Sequence, residues 1–340
     1  MRLALRVLAV LLVLVVTVGA SLWLGPASIT PGEVWAALTG DEVRAVARLI
    51  VIDVRLPRVL TACLAGAALG VAGLAMQTLF RNPLADPYIL GVSSGASLGV
   101  AAVILVVGGT GAATLTAGLG LAGGVAIVVA AATGAALVMA VVLLLGRAVK
   151  SSVSLLLIGV MLGYLASAGV SVMMSFSTPE LIAAYSRWGF GSYGGVTWDN
   201  LRIVAVGVLG GLTAAVALAK PLDALLLGER YAASLGLRVR RHRGLIIVLT
   251  SVLAGTVTAF CGPIQFLGIA VPHLARGLFD TSRHRVLVPA TALLGACVAL
   301  LADLIAALPG DGVLPLNAVN AAFGAPVVIW ILIRRRKVEL

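Results

Sequence analysis

Residues 55–99 read RLPRVLTACLAGAALGVAGLAMQTLFRNPLADPYILGVSSGASLG, and the punctuation of this stretch decides the fold. From Val59 to Phe80 no charged residue occurs, a run long enough, at about 1.5 Å per helical residue, to cross a hydrocarbon core of about 30 Å. Arg81-Asn82-Pro83-Leu84-Ala85-Asp86-Pro87 then ends that helix. Its two prolines lack the N–H a helix interior needs and restrict the residues before them, so the chain turns sharply back toward the bilayer. A second apolar run follows.

The same alternation extends in both directions. Apolar runs between charges and turn residues fall at 4–24, 57–80, 89–108, 121–146, 152–176, 200–219, 244–262, 264–279, 286–308 and 314–333, predicting an all-α, polytopic membrane protein of about ten spans. Composition agrees: 61% hydrophobic and 11% charged residues exclude an ordinary soluble domain. The whole of 1–340 reads as one transmembrane domain. Arg2 and Arg6 precede a long apolar run with Val18-Gly19-Ala20 near its end, and the expectation is an uncleaved first span. Pro272, His273 and Arg276 make the eighth span a broken or interfacial helix that needs a protein-lined environment.

Ten spans put both termini on one side. The positive-inside rule makes that side cytoplasmic, because all but six of the 24 Lys and Arg residues then lie inside; Arg44, Arg48, Arg55, Arg58, Arg187 and Arg202 lie outside. This segregation accounts for the net charge of +11 without nucleic acid. Two connections are long. The outer segment 25–56 contains an amphipathic stretch, Val34 to Ile52, suited to the membrane surface. The inner segment 220–243, KPLDALLLGERYAASLGLRVRRHR, has helical character from Leu222 to Leu235, is broken at Gly236 and ends in a basic cluster. A short cytoplasmic helix there suits docking of a soluble partner.

Candidate chemistry is sparse. Gly91-Val92-Ser93-Ser94-Gly95 matches a serine-hydrolase elbow, but it opens a membrane helix rather than joining strand to helix, and nothing in the sequence brings His242, His273 or His284 to it. Neither a phosphate-binding G-x-x-x-x-G-K-[ST] loop nor an H-E-x-x-H zinc pair occurs. Cys63, Cys261 and Cys297 lack metal-ligand spacing. No bound metal, cofactor or enzymatic activity is therefore expected. Glycines repeat at helix-contact spacing in Gly66-x3-Gly70, Gly91-x3-Gly95-x3-Gly99, Gly120-x3-Gly124 and Gly159-x3-Gly163. Arg55 and Arg58 stand at an outer span mouth, where they either pair with an external carboxylate or snorkel. Asp303 is the one carboxylate deep in an apolar run, a functional suspect by default, with no cation evident at its depth. A proton-coupled carrier would show more such groups, which favours a machine powered by another chain.

Five blocks, Arg55–Gly99, Leu225–Arg243, Gly262–Phe279, His284–Asp303 and Leu314–Trp330, resemble in order the FecCD-type permeases, the membrane subunits of type II ATP-binding-cassette importers for iron-siderophores, haem and cobalamin. The resemblance implies a homodimer around a shared translocation path, two cytoplasmic ATPase subunits that hold ATP and Mg, and an external substrate-binding protein. It implies that Arg55 and Arg58 salt-bridge glutamates of the binding protein. Leu226 to Leu237 correspond to the helix inserted into the ATPase, with Leu226, Leu227, Gly228, Glu229, Ala232, Leu235, Gly236 and Leu237 as its contact and signature positions. Ser151, Ser152 and Val153 correspond to a cytoplasmic gate. Ferric siderophore is the first expected cargo, then cobalamin and haem. The chain departs from the family at Ala307, where an arginine is common, and at Asn317 and Asn320.

Overall fold

In the computed structural model the described residues are 2–107, 120–146, 148–149, 152–308 and 314–336, and they form fourteen helices with no strand among them. Seven are long and apolar enough to cross a membrane: α1 (Leu3–Trp23 of Arg2–Trp23), α3 (Ala45–Phe80), α5 (Gly120–Leu145), α6 (Ser152–Ser175), α8 (Trp198–Ala217), α11 (Val239–Cys261) and α13 (His284–Ala307). Three shorter apolar helices, α4 (Val92–Val107), α12 (Leu267–Phe279) and α14 (Leu316–Arg336), complete the ten apolar segments expected. The remaining helices, α2 (Pro31–Thr39), α7 (Pro179–Gly189), α9 (Ala219–Leu226) and α10 (Glu229–Ser234), lie in connections.

The bundle is built around α3, whose residues are buried over most of their length. Small residues make that possible. A Cβ on Gly66 would overlap the Gly295 carbonyl of α13, and one on Gly295 would overlap the Gly66 carbonyl, so the two backbones touch. Gly73 meets Gly268 at the start of α12 in the same way, and Gly99 meets Ala130 of α5.

Two sequence readings are revised. The outer segment 25–56 is only partly a surface element. Thr30 and Glu33 form a capping box that starts α2, but the chain from Ala45 runs without a break into the second span. A π-helical turn at Ile50–Arg55 joins them, and the Ile52 carbonyl accepts the Trp198 indole N–H at 3.0 Å. Second, α7 is a helix that the sequence reading did not assign, although Thr178-Pro179-Glu180 carries the N-cap, N1 proline and first-turn acid of a helix start.

The eighth span is short and bears a proline inside it, as expected, and its polar residues are enclosed by protein. Pro272 has no N–H to offer the Gly268 carbonyl. The Gln77 side chain of α3 takes that place, donating to Gly268 O and Ile269 O at 3.2 Å each, while Arg276 Nη2 donates to Gln77 Oε1 at 2.7 Å.

Candidate functional site

The polar chemistry gathers at the two ends of the bundle. At the end that the positive-inside reading puts outside, α3 near Arg58, about four turns from its start, approaches the C-terminal part of α13. Arg58 Nε lies 2.8 Å and 3.1 Å from the two Asp303 oxygens, and Nη2 lies 2.8 Å from Oδ1. This is a two-pronged ion pair, with 24% of the Arg58 side chain and 7% of the Asp303 side chain exposed. Asp303 thus has the membrane-depth cation that the sequence reading found missing. Arg55, 7% exposed, donates to Leu22 O at 2.8 Å, Trp23 O at 2.6 Å and Ala27 O at 2.7 Å, and Gly25 passes close enough that a Cβ would meet Nη2 at 3.0 Å. It satisfies the C-terminal carbonyls of α1 and straps that helix to α3.

Both guanidiniums of the pair expected to meet the binding protein are engaged within the chain, Arg55 almost fully buried and Arg58 still partly exposed. Spacing on α3 set them at the mouth, but only tertiary structure shows what lies opposite. A cavity of about 300 Å³ remains beside them, lined by Pro26, Val54, Arg58, Asp303 and Ala307 among others. Ala307, where the family resemblance led one to look for a further arginine, contributes to that open space.

At the inner end, α9 is amphipathic and sinks Leu222 and Leu225 into the bundle. Asp223 on the same helix accepts the His284 backbone N–H at 2.9 Å and its Nδ1–H at 2.7 Å, and His284 Nε2 lies 2.9 Å from Thr78 Oγ1 of α3. This chain of contacts ties α9 to the start of α13 and the end of α3, and sequence reasoning missed it. Gly228 (φ +108°) and Gly236 (φ +83°) then allow the chain to turn on either side of α10 in a backbone region closed to most side chains. Of the residues assigned to the coupling segment, Ala232 is buried, whereas Leu227 and Leu235 are each 62% exposed. The segment is an apolar knob on a fixed strut.

Of the gate residues, Ser151 lies outside the described residues and Ser152 opens α6. Val153 is exposed. At about 100° per residue it shares a face of α6 with Leu157, Tyr164, Ser171 and Ser175, all exposed. The Ser171 and Ser175 hydroxyls on this face donate to the Ser167 and Val172 carbonyls of their own helix, at 3.0 Å and 2.7 Å.

A bundle of seven apolar helices long enough to span a membrane, with three shorter ones, defines a multi-pass membrane protein. Comparison with known proteins makes this specific. The FecCD transport family model matches residues 11–334, and the chain belongs to that family. It is 38% identical over 326 residues to the vitamin B12 import system permease protein BtuC of Klebsiella pneumoniae, covering 96% of this chain and 92% of that one. The same protein of Salmonella typhi is 38% identical over 312 residues, 90% of each chain. A solved structure described as an inward-facing conformation of a metal-chelate type ATP-binding-cassette transporter superposes with a TM-score of 0.82 at 30% identity, covering 96% of this chain and 98% of that one.

Proposed function

We propose that the chain is the channel-forming subunit of an ATP-driven importer in the bacterial inner membrane, with both termini cytoplasmic, working as a homodimer with two ATPase subunits and an external binding protein. The observation that carries this reading is the exposed coupling segment. Leu227 and Leu235 present apolar surface beyond the bundle, on a strut that Asp223 and His284 anchor, in a chain with no nucleotide-binding motif of its own. Such a surface suits a groove on a partner that hydrolyses ATP. The common face of Val153, Tyr164 and Ser171 supports a translocation path along α6, with Val153 at its cytoplasmic end.

The cargo is a metal chelate. The relatives' printed names bring cobalamin ahead of ferric siderophore, the first expectation from the sequence, with haem a third candidate. A large chelate needs a roomy cavity with weak contacts so that it can leave. At the outer mouth, Arg58 retains partial exposure and remains the candidate contact for a carboxylate of the binding protein, whereas Arg55 acts inside the chain.

The test is reconstitution in liposomes with the ATPase and the loaded binding protein. Uptake is expected only with ATP; uptake driven by an ion gradient alone would instead identify a secondary carrier. Substituting Glu229→Ala or Gly236→Ala is expected to lower uptake per ATP hydrolysed by at least tenfold in chains that still insert and fold. Unchanged uptake in both would remove the coupling role.

A further inference from the structure

A basic pocket of about 500 Å³ opens beside the coupling segment, where α11 meets α5 and α6. Arg238, Arg240, Arg241 and Arg243 all contribute to it, and no carboxylate is among its described lining residues. Arg243 is buried and donates to Gly146 O at 3.3 Å and Val149 O at 3.1 Å, so it fixes the rear of the pocket. Arg238 and Arg241 are exposed at its mouth.

The floor of this pocket is apolar, formed by Val142, Leu143, Leu155, Ile247 and Val248. Leu143 and Val248 also line a second, larger groove of about 850 Å³ that continues between α5, α8 and α11 past Met139, Val206 and Val252. The two cavities thus adjoin, the smaller one cationic and the larger one mainly apolar, with Arg202, Ser251 and Thr256 as its polar lining residues. From Arg241 to Val252 the helix rises about 16 Å, close to half of a hydrocarbon core of about 30 Å. This matches the depth of one leaflet.

We propose that these adjoining cavities are a binding site for an anionic phospholipid, with the phosphate held by Arg238 and Arg241 and the acyl chains laid along Val248 and Val252. Guanidiniums suit phosphate because their paired donors match its oxygens, and basic pockets between membrane helices favour acidic headgroups. A phosphate group alone would use the arginines but leave the apolar groove empty. A protein partner docking on the arginines would likewise have no use for a groove at hydrocarbon depth.

The proposal rests on the membrane placement of the bundle and on no step of transport. It is tested with the purified, delipidated full chain in detergent, without ATPase or cargo, so either reading can fail without the other. Thermal unfolding is followed with added phosphatidylglycerol, cardiolipin, phosphatidylcholine or inorganic phosphate, and native mass spectrometry records which lipid stays bound. The two acidic lipids are expected to raise the midpoint and remain attached, while phosphatidylcholine and phosphate do neither. Arg238→Gln with Arg241→Gln is expected to weaken the acidic-lipid response at least tenfold. Val252→Trp, with every arginine retained, is expected to displace the chains and reduce retention. Equal stabilisation by phosphatidylcholine, reproduction of the shift by inorganic phosphate, or an unaltered lipid response in the double variant would each overturn the site. A lipid response intact in the double variant, together with loss of ATPase capture in a separate pull-down, would assign the arginines to the partner instead.

Discussion

Arg58 and Asp303 show what a single pair can do at the rim of a membrane bundle. Removing one partner of a largely enclosed ion pair strands the other, at a cost of about 3 kcal/mol. Arg58→Met alone is therefore expected to lower stability by about that amount, and adding Asp303→Leu is expected to recover most of it; chemical unfolding of the four combinations checks this. Asp86 offers a second test. Its Oδ1 caps the turn at Pro87–Leu90 by accepting the Tyr88 N–H at 2.8 Å, while burial pushes its carboxyl from 3.8 up to about 6. An unfolded chain would release this proton near 3.8, whereas the folded one holds it to about 6. Stability from this group is therefore greatest below the lower value, falls as pH rises between the two, and is flat above. Asp86→Asn keeps an acceptor for Tyr88, and its thermal midpoint is expected to lose that fall between pH 4 and about 6. The place of Arg58 at a span mouth was legible in the sequence, whereas Asp303 read as a carboxylate deep in an apolar run with no cation at its depth. Their pairing was not legible, because 245 residues separate them and nothing local fixes which helices adjoin.

At the scale of elements, the ten apolar segments were readable because lipid demands long uncharged runs, whatever the tertiary arrangement. Elements set by local chemistry at the surface were harder to see. The helix at Pro179–Gly189 is too short for a span, and the extension from Ala45 to Leu56 contains Arg48, Asp53 and Arg55, charges that made it read as an amphipathic surface stretch rather than the start of a span. Likewise, Asp223 and His284 are ordinary polar residues in sequence, and only the approach of α9 to α13 makes them a link. The proline in α12 illustrates repair across elements. Gln77→Leu is expected to leave Gly268 O and the Arg276 guanidinium short of a partner and to cost about 1–3 kcal/mol, measured as a lower denaturation midpoint in detergent.

For the whole molecule, the exposed face of α6 is the feature that ties structure to transport. If Tyr164, Ser171 and Ser175 border the path of the cargo, Ser171→Trp is expected to reduce uptake at least tenfold while leaving expression, thermal stability and basal ATPase activity near those of the parent; equal uptake would place that face against lipid. The close approach of Gly66 to Gly295, and of Gly73 to Gly268, joins α3, α12 and α13 with little room between backbones. Bodies packed at that distance shift as units rather than by gradual deformation. Such packing suits the function proposed above, in which a subunit rocks against its copy under force delivered at Leu226–Leu237.

The strap and the ion pair also mature at different moments of synthesis. Arg55 finds the Leu22 carbonyl only 33 positions behind it, already made when the guanidinium leaves the ribosome, whereas Arg58 must await Asp303, 245 positions ahead. At about 5–20 residues per second, that delay is roughly 12–50 s, during which a cation waits at the lipid boundary for its counterion. The first two spans can thus dock early, while the rim at Arg58 closes only once Asp303 has been made, leaving the insertion machinery to shelter the unfinished side.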